Sequence, residues 1–325
     1  MNSSSDPKKN ARLFWVCTVL LNALAVVLLL GLGNDEKIYM RNVLFSKIYA
    51  EKDLPTEASV DERIHADFMR DQNPEAYAQY INLAKLDHLR KVKNDPSGDR
   101  ELAVAIIQSL GNMSDGRVCG LESLNKIVYD TERGIGCCSD YSKAWMFYAM
   151  YLGMNVREVN SINHTTVEYQ DRKTGQWQWI DPYNRIEIVD ANGQPLSLYD
   201  IRSENLFDKL NYKRVATGNG DFDVESYEGY APSQLSVLMW RLGTNFLDID
   251  RWDTRLRGLG LPKSIRQLIL LSTGVQPHWL ILTTNALAAS LRALQLFLYV
   301  SFALLGLVNV LALWILISDR LRKPA

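Results

Sequence analysis

The chain has 325 residues, 47% of them hydrophobic, and a formal net charge of −1. That balance excludes the broad basic face a nucleic-acid binder needs. Four cysteines without a C-x-x-C pair exclude a disulfide framework, a zinc knuckle and a dithiol redox motif.

In chain order, residues 1–12 are polar and carry Lys8, Lys9 and Arg12 directly before an uncharged run over 13–32. At about 1.5 Å per residue, a helix of that length covers the roughly 30 Å hydrocarbon core, so 13–32 is expected to be a transmembrane helix. The rival reading is a cleaved signal peptide with Gly31 and Gly33 before the cut, but the apolar run exceeds the roughly 7–15 residues of such a segment. Residues 33–220 are expected to form an extracytoplasmic domain whose core is 99–188. Asn34 to Asp71 is mixed and charged, as in a stalk. Tyr77, Tyr80, Ile81, Leu83, Leu86 and Leu89 recur at helical spacing, predicting a helix over Pro74 to Lys93. The turn-rich stretch 94–98 ends it. Asp99 is placed to cap a helix from Arg100 to Leu110, and Leu121 to Tyr129 predicts a third, shorter one.

Gly134 and Gly136 permit a tight turn before Cys137 and Cys138. From Cys138, the positions Tyr141, Trp145, Tyr148, Ala149 and Leu152 recur at threes and fours up to Gly153, so Cys138 opens the inward face of a helix. In its first turn a thiol feels the positive end of the helix dipole, which favours the nucleophilic thiolate. Cys137 is out of phase with that face, and in an oxidising compartment it could pair with Cys119. Past Gly153 the period changes to that of strands, over Val156 to Ile162 and Thr165 to Tyr169. A turn at 171–175 then leads into Gln176 to Asp181. Antiparallel pairing of the last two segments brings His164, at the start of one, to Asp181, at the end of the other. His164 would act as the base for Cys138, and Asp181 would fix the tautomer of the imidazole. Trp177 and Trp179 share a strand face with Asp181 and would screen it from water.

Gly136-x-Cys138-x-Asp140-Tyr141, then Leu152 to Arg157, then His164 with Glu168, and Trp179-Ile180-Asp181-Pro182 together resemble the transglutaminase-like superfamily. The resemblance covers about Asp99 to Ile188. It implies an α+β, papain-like core, with a thiol-bearing helix packed on an antiparallel sheet. Carried over by position, it also implies a catalytic triad of Cys138, His164 and Asp181. The family's upstream oxyanion tryptophan has no counterpart here, which leaves the Cys138 N–H and Gln108 as candidate donors.

Arg185 to Val189 is expected to add a strand and Leu198 to Tyr212 a helix, with a boundary at 217–221. Residues 221–292 are expected to form a helical membrane-proximal region, with helices at Pro232 to Phe246 and Lys263 to Leu271 and a helical lead-in at Leu280 to Ala289. In this region Trp240 and Trp252 alternate with arginines, which suits a headgroup boundary. A second transmembrane helix is expected over 293–318, with Arg320, Arg322 and Lys323 in a tail over 319–325. Basic residues on the terminal side of both spans place both termini in the cytoplasm, as in a two-pass protein of a bacterial inner membrane. Asn22 and Asn309, one in each span, could meet. The expected activity is amide hydrolysis or acyl transfer on a peptide or protein substrate, with no cofactor and no metal. The alternative is an inactive module that works with envelope or polysaccharide-export partners.

Overall fold

The computed structural model describes residues 7–31, 33–53, 74–93, 99–112, 124–162, 164–203, 211–216, 230, 237–241, 245–276 and 278–321. The chain divides into two compact units, Lys47–Ala288 and the pair of segments Met1–Ser46 with Ala289–Ala325.

The larger unit is α+β, organised on an eight-stranded sheet. Its strands are β1 (Ser46–Ala50), β2 (Asn155–Asn160), β3 (Thr165–Gln170), β4 (Trp177–Asp181), β5 (Ile186–Val189), β6 (Asn211–Arg214), β7 (Val237–Arg241) and β8 (Trp279–Thr283). They lie in the order β1-β8-β7-β2-β3-β4-β5-β6. From β2 to β6, neighbours in space are neighbours in sequence and pair antiparallel. β7 extends the sheet on the other side of β2, with Val159 opposite Trp240.

Helices α3 (Leu86–Lys93), α4 (Asp99–Ser109), α5 (Leu124–Thr131) and α6 (Cys138–Tyr151) pack with Val156, Val167, Tyr169 and Ile180 in one core. On the opposite face a second core holds Val159, Trp179, Leu238, Trp240 and Leu280, with Leu198 and Ile201 of the short helix α7 (Leu198–Ser203). Trp145, Trp179 and Trp240 are at most 2% exposed. At about 25 cal/mol per Å², each aromatic contributes on the order of 4–6 kcal/mol of gross burial. α6 is buried on nearly every side from Asp140 to Met150 because helices cover its outer face while the sheet takes the inner.

Burial on both faces also explains where the sequence misleads. β7 lies within the segment expected to be helical at Pro232 to Phe246, and β8 takes the first half of the one expected at Leu280 to Ala289, where helix begins only at Asn285. All five residues of each are buried, so no two-residue alternation marks them. Among the described residues, the helices that 221–292 does supply are α8 (Phe246–Gly258), α9 (Lys263–Ser272) and the start of α10 (Asn285–Leu321). The larger unit therefore runs through the boundary expected at 217–221, because β7 pairs with β2 across it. Asn211–Arg214 is strand, not helix, held as the sheet's edge by β5. Ahead of α3, Pro74–Tyr80 and Leu83–Lys85 are tighter 3-10 turns. Asn82 interrupts them by accepting the Ala84 N–H on its side chain.

The smaller unit contains α1 (Pro7–Gly31), α2 (Asn34–Leu44) and most of α10 (Asn285–Leu321). The stalk expected from Asn34 onward is thus a helix followed by a strand over its described part. Gln295 donates to the Val43 and Ser46 carbonyls at 2.8 Å and Tyr299 to that of Leu44 at 2.6 Å, satisfying the end of α2. Asn22 and Asn309 exchange amide bonds of 3.1 and 3.2 Å. Among the described residues one helix, Asn285–Ile315, is long and apolar enough to cross a bilayer, and Phe14–Ala25 is a shorter apolar helix.

Candidate active site

α6 begins where Gly134 and Gly136, both at positive φ, turn the chain. Cys137 is its N-cap and is tied to Asp140: the Cys137 N–H and Sγ both reach Asp140 Oδ2, at 3.2 and 3.4 Å. Cys138 is the first helical residue. Its amide stands ahead of the first bonds to the Cys137 carbonyl, which come from Asp140 and Tyr141.

α6 lies against β2 and β3, and Ser142 donates to the Thr165 carbonyl at 3.1 Å. One turn earlier on the same face, the Cys138 sulfur accepts the Thr165 N–H. Thr165 follows His164, so this contact brings the sulfur to the start of β3. His164 Nε2 lies 2.5 Å from Asp181 Oδ2, across the antiparallel β3–β4 pairing. The strands thus bring the three expected residues to one place.

Asp181 is fully buried and held from five directions. Oδ1 accepts the Tyr183 and Asn184 N–H groups at 2.8 and 3.1 Å. Oδ2 accepts His164, the Asn184 side chain at 2.9 Å and the phenol of Tyr230. Burial would raise this carboxyl, but His164, Tyr230 and the Asn184 amide together hold it below the ordinary range. Asn184 also donates to the Tyr230 oxygen at 2.7 Å. Tyr230 stacks edge-on against His164 and Trp179, with centroids 5.5 and 6.0 Å away. Trp179 therefore screens the pair through Tyr230, while Trp177 lies 3.9 Å beneath the Arg157 guanidinium.

The thiol does not follow the expectation drawn from the helix dipole. The hydrogen bond with the Cys137 side chain and burial push the Cys138 thiol well up, against the pull of the Thr165 N–H, and the Asp181 charge adds to the rise. A helix terminus offers about 0.3–1 kcal/mol at exposed sites, whereas a hydrogen bond that holds the protonated form, together with burial, can move a group by several pKa units, so the Cys137 contact and burial win. This direction favours the thiol over the thiolate at rest. Asp140 responds to the same surroundings: burial, with Cys137 next, pushes it up to about 6. Its Oδ1 is buried without a hydrogen-bond partner.

Sequence reasoning missed Tyr230 and Asn184. Asn184 was legible in principle, three residues after Asp181 in a turn. Nothing in the sequence ties Tyr230 to a carboxylate 49 residues away. Arg185 was missed as well. It stands at φ 59° directly after that turn and donates to the Leu110 and Gly111 carbonyls at 2.9 and 2.8 Å, clamping the end of α4. Tyr141 donates to the same Gly111 carbonyl at 3.1 Å. A side chain at Gly111 would strike the Glu132 carbonyl. Gln108 is not at the site. It is exposed in a surface depression with His88 and Arg100, because the last turn of α4 points it outward. Cys119, the expected partner of Cys137, lies outside the described residues.

No protein-family model, no curated protein and no solved structure matches the chain.

Proposed function

We propose that the chain is a membrane-anchored, transglutaminase-like thiol enzyme with a papain-like core, acting on an amide of a peptide or protein outside a bacterial inner membrane. The observation that carries this reading is the His164–Asp181 pair, buried and fully hydrogen-bonded, next to the residue whose amide touches the Cys138 sulfur. A carboxylate held this firmly below its ordinary range orients the imidazole and stabilises it once protonated.

With a raised thiol as the nucleophile, His164 works as a general base. The imidazole takes the thiol proton as sulfur bonds to the substrate carbonyl carbon, and the Cys138 N–H receives the developing oxyanion. The C–N bond then breaks, His164 returns its proton to the departing amine, and a thioester remains. Water or a second amine attacks that thioester, giving up its proton to His164, and the sulfur leaves as a thiol again. The products are an acid or a new amide. Two spans, 13–32 and 293–318, with both termini in the cytoplasm would hold the domain at the outer face. The Asn22–Asn309 amide pair and the apolar length of α10 support that arrangement.

A second reading is favoured by one observation, the raised Cys138 thiol: a catalytically silent module that binds envelope or polysaccharide-export partners. An activated acyl ester separates the two. Under the enzyme reading it acylates Cys138 at neutral pH, and His164→Ala slows the reaction about 10²–10⁴-fold. Acylation that His164→Ala leaves unchanged would sink the enzyme reading.

A further inference from the structure

Away from the sulfur, α8 and α9 wall a cavity of about 260 Å³, closed by α5, by Lys143 of α6 and by Arg241 at the end of β7. Phe246, Ile249 and Leu270 give it an apolar floor. Five cations, Lys143, Arg241, Arg257, Lys263 and Arg266, share the lining with the carboxylates Asp250 and Asp253. The arginines are engaged: Arg266 and Arg257 meet Asp253 at 2.8 and 2.9 Å, and Arg241 meets Glu158 at 2.8 Å. Lys143 and Lys263 have no ion-pair partner within 4.0 Å among the described residues. Arg241 is only 8% exposed, and its Nε lacks a hydrogen-bond partner. α9 opens at Lys263 behind Pro262 with no side-chain cap and no acid in its first turn, so its positive end goes uncompensated.

Positive charge in excess inside a partly closed space is self-repulsive until an anion enters. The same two helices expose apolar side chains: Trp252 at 42%, Ile265 at 43%, Leu268 at 47% and, just past α8, Leu259 at 74%. Arg251 and Arg255 stand among them. Tryptophan and aliphatic residues interleaved with arginine suit the boundary between lipid headgroups and acyl chains.

We infer that the α8–α9 hairpin docks on anionic phospholipid, with its apolar side chains at that boundary and a lipid phosphate held in the cavity by Lys143, Lys263 and the α9 N-terminus. The volume is below the roughly 300–1,000 Å³ of a site for a whole small molecule, so it suits a headgroup phosphate with the lipid body outside. The inference concerns a separate surface, and its test does not use the thiol. Full-length Cys138→Ser protein in neutral detergent is melted with short-chain phosphatidylglycerol, with short-chain phosphatidylcholine, and with inorganic phosphate. Phosphatidylglycerol at about a hundredfold excess over Kd is expected to raise Tm by roughly 5–10 °C. Phosphatidylcholine and free phosphate should do far less. The rise should vanish in Lys143→Met/Lys263→Met and persist in Lys143→Arg/Lys263→Arg. Equal rises with both lipids, a full rise with phosphate alone, or a phosphatidylglycerol rise that survives the Met pair would each overturn the inference. If the Met pair does not fold, the wild-type lipid comparison and the Arg pair decide it.

Discussion

Cys138 sits where two local influences oppose each other, and their magnitudes give its chemistry a pH signature. A raised thiol makes simple alkylation slow at neutral pH and faster as pH climbs past the ordinary thiol range near ~8.5. Iodoacetamide labelling of Cys138 across pH 6–10 checks this; a flat, fast rate from pH 6 would mean a resting ion pair instead. Tyr230 acts through Asp181. Removing its hydroxyl in Tyr230→Phe takes a donor from a buried carboxylate, worth on the order of 1.5–3 kcal/mol. Acylation of Cys138 should fall at least about tenfold, with the acid limb of its pH profile moved upward because Asp181 then ionises less readily. Asp140 has the opposite sign. Its folded pKa of about 6 exceeds the ordinary value of 3.8. The folded state therefore holds the proton longer, and stability from this group is lost as pH rises from about 4 through 6. Asp140→Asn should gain on the wild type by about 2 kcal/mol between pH 4.5 and 7.5, read as the difference in thermal unfolding at the two pH values.

The elements are joined by buried polar groups as well as by apolar contacts. Glu168 of β3 is fully buried. It accepts Arg157 of β2 at 2.6 Å, the Trp240 indole of β7 at 3.0 Å, and the Leu198 N–H that opens α7 at 2.6 Å. One carboxylate thus ties three strands and a helix together. Glu168→Ala leaves a buried guanidinium uncompensated and should cost about 3–5 kcal/mol, measured as loss of thermal stability in the near-ultraviolet circular dichroism signal. The sequence showed Glu168 only as one member of a motif, because its three partners lie 11, 72 and 30 residues away. By contrast, the β3–β4 hairpin was legible. Its turn at 171–175 and the 17-residue separation of His164 and Asp181 are local features.

At the scale of the whole molecule, each compact unit has its own means of stabilisation. The smaller contains Asn22 and Asn309 in reciprocal contact. In lipid such a pair is worth about 0.6 kcal/mol, and a double-mutant cycle with Asn22→Ala and Asn309→Ala should return a coupling of that order. In the larger unit, the region expected to be helical and membrane-proximal supplies α8 and α9 but also extends the sheet through β7 and β8.

What the sequence determined by itself is whatever depends on near neighbours in the chain: the helix opened by Cys138, the antiparallel strands that carry His164 to Asp181, and the long apolar run of α10. Only the tertiary structure decided the identity of β7 and β8, the place of Tyr230 on Asp181, the outward turn of Gln108 and the surroundings that raise the Cys138 thiol. The physical reason is common to all four. Each depends on which distant groups exclude water from a residue or bond to it, and neither periodicity nor spacing along the chain carries that information.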